Sequence, residues 1–538
     1  MKMLLIAPGR GDADSGESTF DAYDAAVDGV EMMSSVAVAT VAALAPPSIE
    51  MVLVNEMLQP IDFDANVDVV GITANVSQAR RALVIADLFR QRGKPVVMGG
   101  PHVSLVPQLF EGRCDSMVVG ELEPIAGTFF SDMLHGRLKP RYDGPAADMT
   151  QSPAPRWDLY LHAKALSGVV QTSRGCPFKC TFCDVIQFAG NKQRHKTTGQ
   201  FISEVQQLYD LGFSSIFIAD DNFSANKKVA RALLTEMKNW NGAEGREFVS
   251  FRTQMSINMS RDDAFLDSCY DAGLLTVFSG LETSDPAALA ECEKRSNQRL
   301  NLVEQCEKSI RHGVQIEPSL IVGFDSDDKS VFERQLKFAM ALPALSGRMS
   351  ALVAPAATPL FADMRQQGRL VADPRVVEGI PESYISNFRL AQMSRAELYI
   401  GLRWMISRFF DPDSYMIRME NLANLLLPPP WIAKDQSRRR EPRPVAVKYA
   451  ATVIQNALRA DDRMKALIEH TQATGRRRPG IGGRLGDAML RYLATFTALQ
   501  DGGMYDRAWA AMPEPPFRSR FRDKRLDWIR HVDEVLVH

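Results

Sequence analysis

Cys176, Cys180 and Cys183 stand in the segment Ser173-Arg174-Gly175-Cys176-Pro177-Phe178-Lys179-Cys180-Thr181-Phe182-Cys183-Asp184, a C-x3-C-x2-C spacing that directly follows a predicted strand. Three thiolates from one tight loop can take three corners of a cubane iron–sulfur cluster. The fourth iron then stays open to a small molecule, which can bind there and receive an electron. The competing reading is a zinc knuckle. A structural zinc site takes four protein ligands, and no fourth Cys or His follows at zinc-ribbon spacing, His195 being the nearest downstream histidine. The other cysteines, Cys114, Cys269, Cys292 and Cys306, are scattered and read as packing residues.

The elements around this loop form a regular series. From about 167 to 370, candidate strands Gly168–Thr172, Ser215–Ala219, Val249–Met255, Leu275–Ser279, Ile316–Val322 and Met349–Ala354 alternate with helical stretches that include Thr198–Leu211, Lys227–Trp240 and Leu302–His312. About six strand–helix units make a partial (β/α)6 barrel of the TIM type, with chemistry at the strand carboxyl ends. Residues 1–140 alternate in the same way. Strands at Met3–Ala7, Met51–Val54, Asp68–Thr73, Pro95–Met98 and Ser116–Val119, with helices at Met32–Leu44 and Ser77–Arg92, predict a doubly wound, Rossmann-like parallel sheet. Ligands bind such sheets outside the strand carboxyl ends. Small and polar residues collect there: Thr73-Ala74-Asn75, Gly99-Gly100-Pro101-His102, and Gly120-Glu121-Leu122-Glu123.

Residues 141–166 read as a Pro-broken linker, with Trp157 and Tyr160 as anchors to a neighbouring domain. Residues 371–538 read as mostly helical. Ser394–Phe410 is taken as amphipathic, with Ser394 and Glu397 at capping-box spacing. The whole is an α/β chain of 538 residues, with 45% hydrophobic and 24% charged residues, which excludes a disordered or coiled-coil protein. A net charge of −2 argues against a nucleic-acid partner. Seven cysteines are too few for a disulfide scaffold in a chain this long. The apolar start breaks off at Pro8, so a cytoplasmic protein without a signal segment or spanning helix is expected.

The cysteine loop, with Phe182 just before its third cysteine, resembles that of the radical S-adenosylmethionine (SAM) superfamily. The resemblance implies a [4Fe–4S] cluster on Cys176, Cys180 and Cys183, and SAM chelated by the open iron. SAM is then cleaved to a 5′-deoxyadenosyl radical that abstracts hydrogen from an unactivated carbon. It further implies SAM contacts at Phe182, at Asp220, Asp221 and Asn222 after the second barrel strand, at Glu282 in Gly280-Leu281-Glu282-Thr283, and at Gly323 in Ile321-Val322-Gly323-Phe324. Asp-Asp-Asn here replaces the family's Gly-Gly-Glu.

The first 140 residues resemble the cobalamin-binding domain fused to one radical SAM class. That resemblance implies cobalamin contacts at Asn75, Val76, Ser77, Gly99, Gly100, Pro101, His102, Ser104, Gly120 and Glu121. Glycines let backbone approach a corrin closely. Many cobalamin folds carry Asp-x-His-x-x-Gly after the first strand; here that stretch is Ala7-Pro8-Gly9-Arg10-Gly11-Asp12, so no histidine from it is expected on cobalt. A nucleotide or flavin fold is the alternative for this domain, but no G-x-G-x-x-G follows the first strand.

The C-terminal Phe410-Asp411-Pro412-Asp413-Ser414-Tyr415 resembles a subgroup that includes hopanoid C-2 methylases. The implied activity is cobalamin-dependent C-methylation of a small-molecule or lipid substrate, with an electron donor such as flavodoxin or ferredoxin. Cobalamin-assisted cyclisation or rearrangement without net methylation is the alternative. A non-enzymatic sensor would need a DNA-binding or signalling domain, and none is read. Arg438-Arg439-Arg440 and Arg476-Arg477-Arg478 are candidates for peripheral contact with a membrane or an anionic substrate, although such runs are more often solvated faces.

Overall fold

The computed structural model describes residues 1–9, 27, 29–33, 35–371, 384–431, 440–518, 521 and 523–535. The expected stretches Arg10–Asp12 and Arg438–Arg439 lie outside the described residues. Two parallel sheets carry the fold. Their strands are β1 (Lys2–Ala7), β2 (Glu31–Met33), β3 (Glu50–Asn55), β4 (Val69–Thr73), β5 (Val96–Gly99), β6 (Ser116–Gly120), β7 (Arg141–Gly144), β8 (Ala165–Val170), β9 (Ser173–Arg174), β10 (Arg194–His195), β11 (Ser215–Ile218), β12 (Ser250–Gln254), β13 (Leu274–Glu282), β14 (Gln315–Val322) and β15 (Arg348–Ala351).

The first sheet has the order β3-β1-β4-β5-β6-β7, and every pairing is parallel. The chain leaves β1 to one side for β3 and returns to the other for β4. That reversal opens a crevice at the carboxyl ends, where ligands of such sheets bind. Buried Leu4, Ile6, Val70, Ile72, Val96 and Met98 pack one face of the sheet against the helix Ala79–Gln91. The last strand, β7, lies beyond the expected boundary at 140, in the stretch read as a linker. Pro140 and Pro145 flank it, which an edge strand tolerates because it needs fewer ladder donors.

Close backbone contact marks the carboxyl ends of β6 and β7. Gly120 has φ +89, and a Cβ there would sit 2.1 Å from the Gly144 carbonyl oxygen; one on Gly144 would sit 1.9 Å from that of Glu121. Only glycine fits either position.

The second sheet has the order β15-β14-β13-β12-β11-β8-β2 and curls into a partial barrel. Its six expected strands are all present. The seventh, β2, comes from the N-terminal region and pairs in parallel with β8, Glu31 opposite Ala165. The stretch Met32–Leu44, expected to be helical throughout, therefore divides, with a helix only over Val36–Leu44. Trp157 and Tyr160 are buried as expected, and the Tyr160 hydroxyl accepts from the Ser35 N–H at 3.1 Å.

The C-terminal helices share the barrel's core rather than building their own, since one apolar cluster runs from Met3 through Val277 and Tyr399 to Ile529. The helix Arg395–Phe409 starts with the expected capping box at Ser394 and Glu397. It is not amphipathic, because Leu398, Tyr399, Ile400, Leu402, Trp404, Met405, Ile406 and Phe409 bury it on all sides. Fully buried Arg418 ties the next helix, Pro412–Leu425, to the barrel: its guanidinium donates to the carbonyls of Ala344 at 2.6 Å, Leu345 at 3.1 Å and Phe409 at 2.5 Å. Arg440 likewise donates to the carbonyls of Tyr209 and Phe213, and Arg478 to that of Ala423. These two members of the basic runs are therefore half-buried and tied to backbone carbonyls of the fold. No described helix is long and apolar enough to cross a membrane.

Candidate active site

The cysteine loop starts where β8 ends, at the carboxyl edge of the partial barrel. Asp220, just past β11, anchors its start. This carboxylate is 1% exposed and accepts from the N–H groups of Thr172 at 2.7 Å and Ser173 at 2.9 Å, and from both hydroxyls, that of Ser173 at 2.7 Å. Asp221 accepts from the Gly175 N–H at 2.8 Å, and burial pushes its carboxyl up to about 6. Gly175 has φ +94, and a Cβ there would meet the carbonyl oxygens of Lys192 at 2.8 Å and Gly190 at 2.9 Å. The small hairpin β9–β10 closes over this point, Arg194 opposite Arg174 and His195 opposite Ser173.

All three thiols are free, Cys180 buried and Cys176 and Cys183 partly so. Burial raises the three thiol pKa values, Cys183 to about 12. Lys294 pulls the other way on each. Its ammonium pairs with Glu282 Oε1 at 2.7 Å. Burial disfavours that charge, but Glu282 and the thiols of Cys180 and Cys183 outweigh it and hold Lys294 protonated above the ordinary lysine value. Lys294 thus supplies positive charge beside thiols that burial keeps protonated, and metal binding would have to displace their protons. Among the described residues, no three His, Cys, Asp or Glu side chains converge on one ion. A structural zinc takes four protein ligands, whereas a cubane can take three thiolates, one on each of three irons. The donor set fits the cluster.

Glu282 ends β13 at φ 62, and its carbonyl accepts from Gln335 Nε2 at 2.6 Å. Asn297 Nδ2 donates to the carbonyls of Gly280 and Leu281, both at 2.9 Å. Gly323, after β14, has φ +108, and its N–H donates to Asp327 at 2.8 Å. Phe182 packs against the apolar cluster that includes Cys292, Phe324 and Leu352. All of these lie on the carboxyl-end side of the barrel with the thiols.

From the first sheet, Glu121 and Glu123 reach the cysteine loop. Arg174 bonds Glu121 at 2.8 Å and Glu123 at 2.7 Å, and Arg194 bonds Glu121 at 2.5 Å. Burial disfavours the Glu121 carboxylate, yet Arg194 and Arg174 more than offset it, so its pKa falls below the usual glutamate value. The carboxyl edges of the two sheets thus meet at the cysteine loop.

Residues 170–339 match the Radical SAM superfamily model. The chain contains a radical SAM domain. It is 29% identical over 389 residues to an uncharacterised methyltransferase of Synechocystis, an alignment covering 70% of this chain and 71% of that protein. It is 30% identical to the hopanoid C-2 methylase of Rhodopseudomonas palustris, over 52% of this chain and 54% of the relative, so it spans about half of that protein's length. A solved structure of the cobalamin-dependent SAM radical enzyme OxsB, with aqua-cobalamin and SAM bound, shares the fold at a TM-score of 0.58 and 13% identity, covering 99% of this chain and 83% of that one.

Within the radical SAM domain, the expected residues separate into two groups. Glu282 lies beside the thiols with Lys294, while Phe182 packs against the apolar cluster that holds Phe324, the residue after Gly323. Asp220 and Asp221, expected among the SAM contacts, accept from the backbone N–H groups that enter the loop. Asn222 bonds Ser256 and Ser224 through its side chain. In the first sheet, Asn75 caps the turn Val76–Gln78, leaving Val76 and Ser77 partly exposed at the end of β4. Ser104 joins the next two strand ends, its Oγ donating to the Gly100 carbonyl and accepting from the Gly120 N–H, both at 2.9 Å. Gly100 has φ +105, and Pro101 begins the short helix Pro101–Leu105. His102 is 2% exposed, its ring edge-on to Phe110 in the interior. Glu121 is committed to the two arginines.

Sequence reasoning missed Lys294, Thr172, Arg174 and Arg194. A signal existed for one of them, Thr172. Thr172-Ser173 ends one predicted strand and Asp220-Asp221 the next, so hydroxyl donors and carboxylates had to become neighbours across adjacent parallel strands.

Proposed function

We propose that this chain is a cobalamin-dependent radical SAM C-methyltransferase acting on an unactivated carbon of a small-molecule or lipid substrate. The observation that carries the reading is the meeting of two strand-end edges at one cysteine loop. A methyl carrier on one edge and a radical generator on the other would both reach one substrate carbon. When bound, the cluster and SAM supply the hydrogen-abstracting radical, and cobalamin supplies the methyl group.

Cys176, Cys180 and Cys183 hold the cluster in this reading. Lys294 keeps positive charge beside the thiolates, Glu282 fixes the Lys294 ammonium, and Phe182 and Gly323 border the SAM site. Asn75, Val76, Ser77, Gly99, Gly100, Pro101 and Gly120 offer the corrin a floor of small groups and backbone at the crevice of the first sheet. Placement matters because a misplacement of about 1 Å can cost about 100-fold in rate. An apolar substrate fits the methylase resemblance, and an external one-electron donor is required. Under anaerobic turnover with reductant and substrate, S-adenosylhomocysteine and 5′-deoxyadenosine should accumulate together in comparable amounts. Formation of 5′-deoxyadenosine without a methylated product would favour rearrangement chemistry instead.

The cobalt ligand gives a second expected result. His102 is turned into the core, and the usual histidine motif is missing after β1. No protein nitrogen is therefore expected to reach cobalt when cobalamin is bound. Electron paramagnetic resonance of the Co(II) form should give the same nitrogen superhyperfine pattern, or the same lack of one, in wild type and His102→Ala. Splitting that disappears in the variant would contradict this.

A further inference from the structure

The four charges between the sheets are built as a junction rather than as surface pairs. Side-chain exposure is 13% for Glu121, 10% for Glu123, 17% for Arg174 and 16% for Arg194, well below that of ordinary surface ion pairs. Each partner is also fixed by further bonds. Glu121 accepts from the Ala147 N–H at 3.1 Å, Arg174 Nε donates to Gln171 at 2.9 Å, and Arg194 donates to the carbonyls of Ala147 at 2.8 Å and Ala189 at 3.0 Å. Arg–carboxylate forks of this kind define orientation as well as distance.

The two ends of the junction lie next to the two proposed cofactor sites. Glu121 follows Gly120 directly, at the strand end whose N–H is held by Ser104. Arg174 precedes Cys176 by two residues, with only Gly175 between them. Arg194 pairs across the hairpin with Arg174. On its other side the same loop is held by Asp220 and Asp221. The cysteine loop is therefore gripped by carboxylates from both sheets.

We infer that Glu121 and Glu123, acting through Arg174 and Arg194, are positioning residues that set the distance between the cobalamin crevice and the cluster loop, and so couple radical formation to methyl transfer. The inference rests on the proposed methyltransferase function. Its signature is uncoupling: with the junction weakened, SAM is still cleaved, but the substrate radical finds the methyl donor out of reach.

The test compares wild type with Glu121→Gln/Glu123→Gln, which keeps shape and removes both charges. In the full-length protein, hydrogen–deuterium exchange over residues 173–195 should become faster, while exchange in β1, β4 and β5 stays the same. During turnover, the ratio of 5′-deoxyadenosine to methylated product should rise, by up to about 100-fold if the sites separate by about 1 Å. An unchanged ratio overturns the inference even if stability falls, because a merely structural role would lower both products together. Should the double variant misfold, Glu123→Gln alone leaves the Glu121 bonds in place and should raise the ratio by a smaller factor; no rise overturns the inference. If wild type forms no methylated product, the functional reading fails separately, and exchange decides the junction: faster exchange over 173–195 supports it and unchanged exchange overturns it.

Discussion

Replacing Cys176, Cys180 and Cys183 together with alanine is expected to abolish the brown visible absorption of the reconstituted protein and remove about four irons per chain, the content of one cubane. Formation of 5′-deoxyadenosine should fall to background. The loss should be complete rather than partial, since the radical chemistry depends on SAM bound at the open iron. Cys269 and Cys306 are the internal controls. Both thiols are buried in the core among apolar neighbours, and burial raises their pKa values, Cys306 to about 12. They sit on the helices Asp263–Ala272 and Leu302–Arg311 rather than in the cysteine loop, and buried structural thiols of this kind are inert. Alanine at either position should leave iron content unchanged, at a cost in stability. Iron analysis beside the absorption spectrum settles both parts, and undiminished iron in the triple variant would remove the cluster assignment.

Asp220→Ala should be among the most destabilising single substitutions near the site. It strips the acceptors from two N–H groups and two hydroxyls in a place with almost no solvent. Each buried donor left without a partner costs about 1–3 kcal/mol. Even with two of the four donors re-solvated, a loss of about 2–6 kcal/mol is expected. The carboxylate is not a comfortable ion here, because burial pushes its pKa up; its value lies in the four donors it satisfies. Asp220→Asn should fall between wild type and alanine, because one of its two acceptor atoms becomes a donor facing donors. Denaturant midpoints rank the three proteins. Iron uptake should follow the same order, since the loop entering Cys176 loses its anchor. Equal midpoints for wild type and alanine would contradict the anchoring role.

These expectations show where the fold was legible. The six barrel strands between β8 and β15 announced themselves as short runs rich in β-branched, aliphatic and aromatic residues, four of them stopped by Gly, Asp or Pro. A strand such as β2 gave no such signal, because Glu31–Met33 is three residues long and gains its place by pairing with Ala165–Ser167, far along the chain. In β7 only Tyr142 is buried, so an apolar pattern could not reveal it. The helix Arg395–Phe409 looked one-sided, yet tertiary packing covered its other faces as well.

The site followed the same division. Thiol spacing is a local property, so the triad could be read directly. Lys294 lies more than a hundred residues from it and reaches it only through the curl of the barrel. Asp220 and Glu121 were read through the family resemblance as contacts for bound cofactors. Their protein partners, backbone N–H groups and hydroxyls for one and arginines for the other, come from segments 47 to 73 residues away and so left no local pattern to read.

The central claim is transfer of an intact methyl group from SAM to carbon. Anaerobic turnover with methyl-deuterated SAM and a candidate substrate pool tests it most directly, with products read by mass spectrometry. The account predicts a product that carries all three deuterons of one SAM methyl and has lost one substrate hydrogen, with that hydrogen recovered in 5′-deoxyadenosine. A product without deuterium, formed alongside 5′-deoxyadenosine, would contradict it.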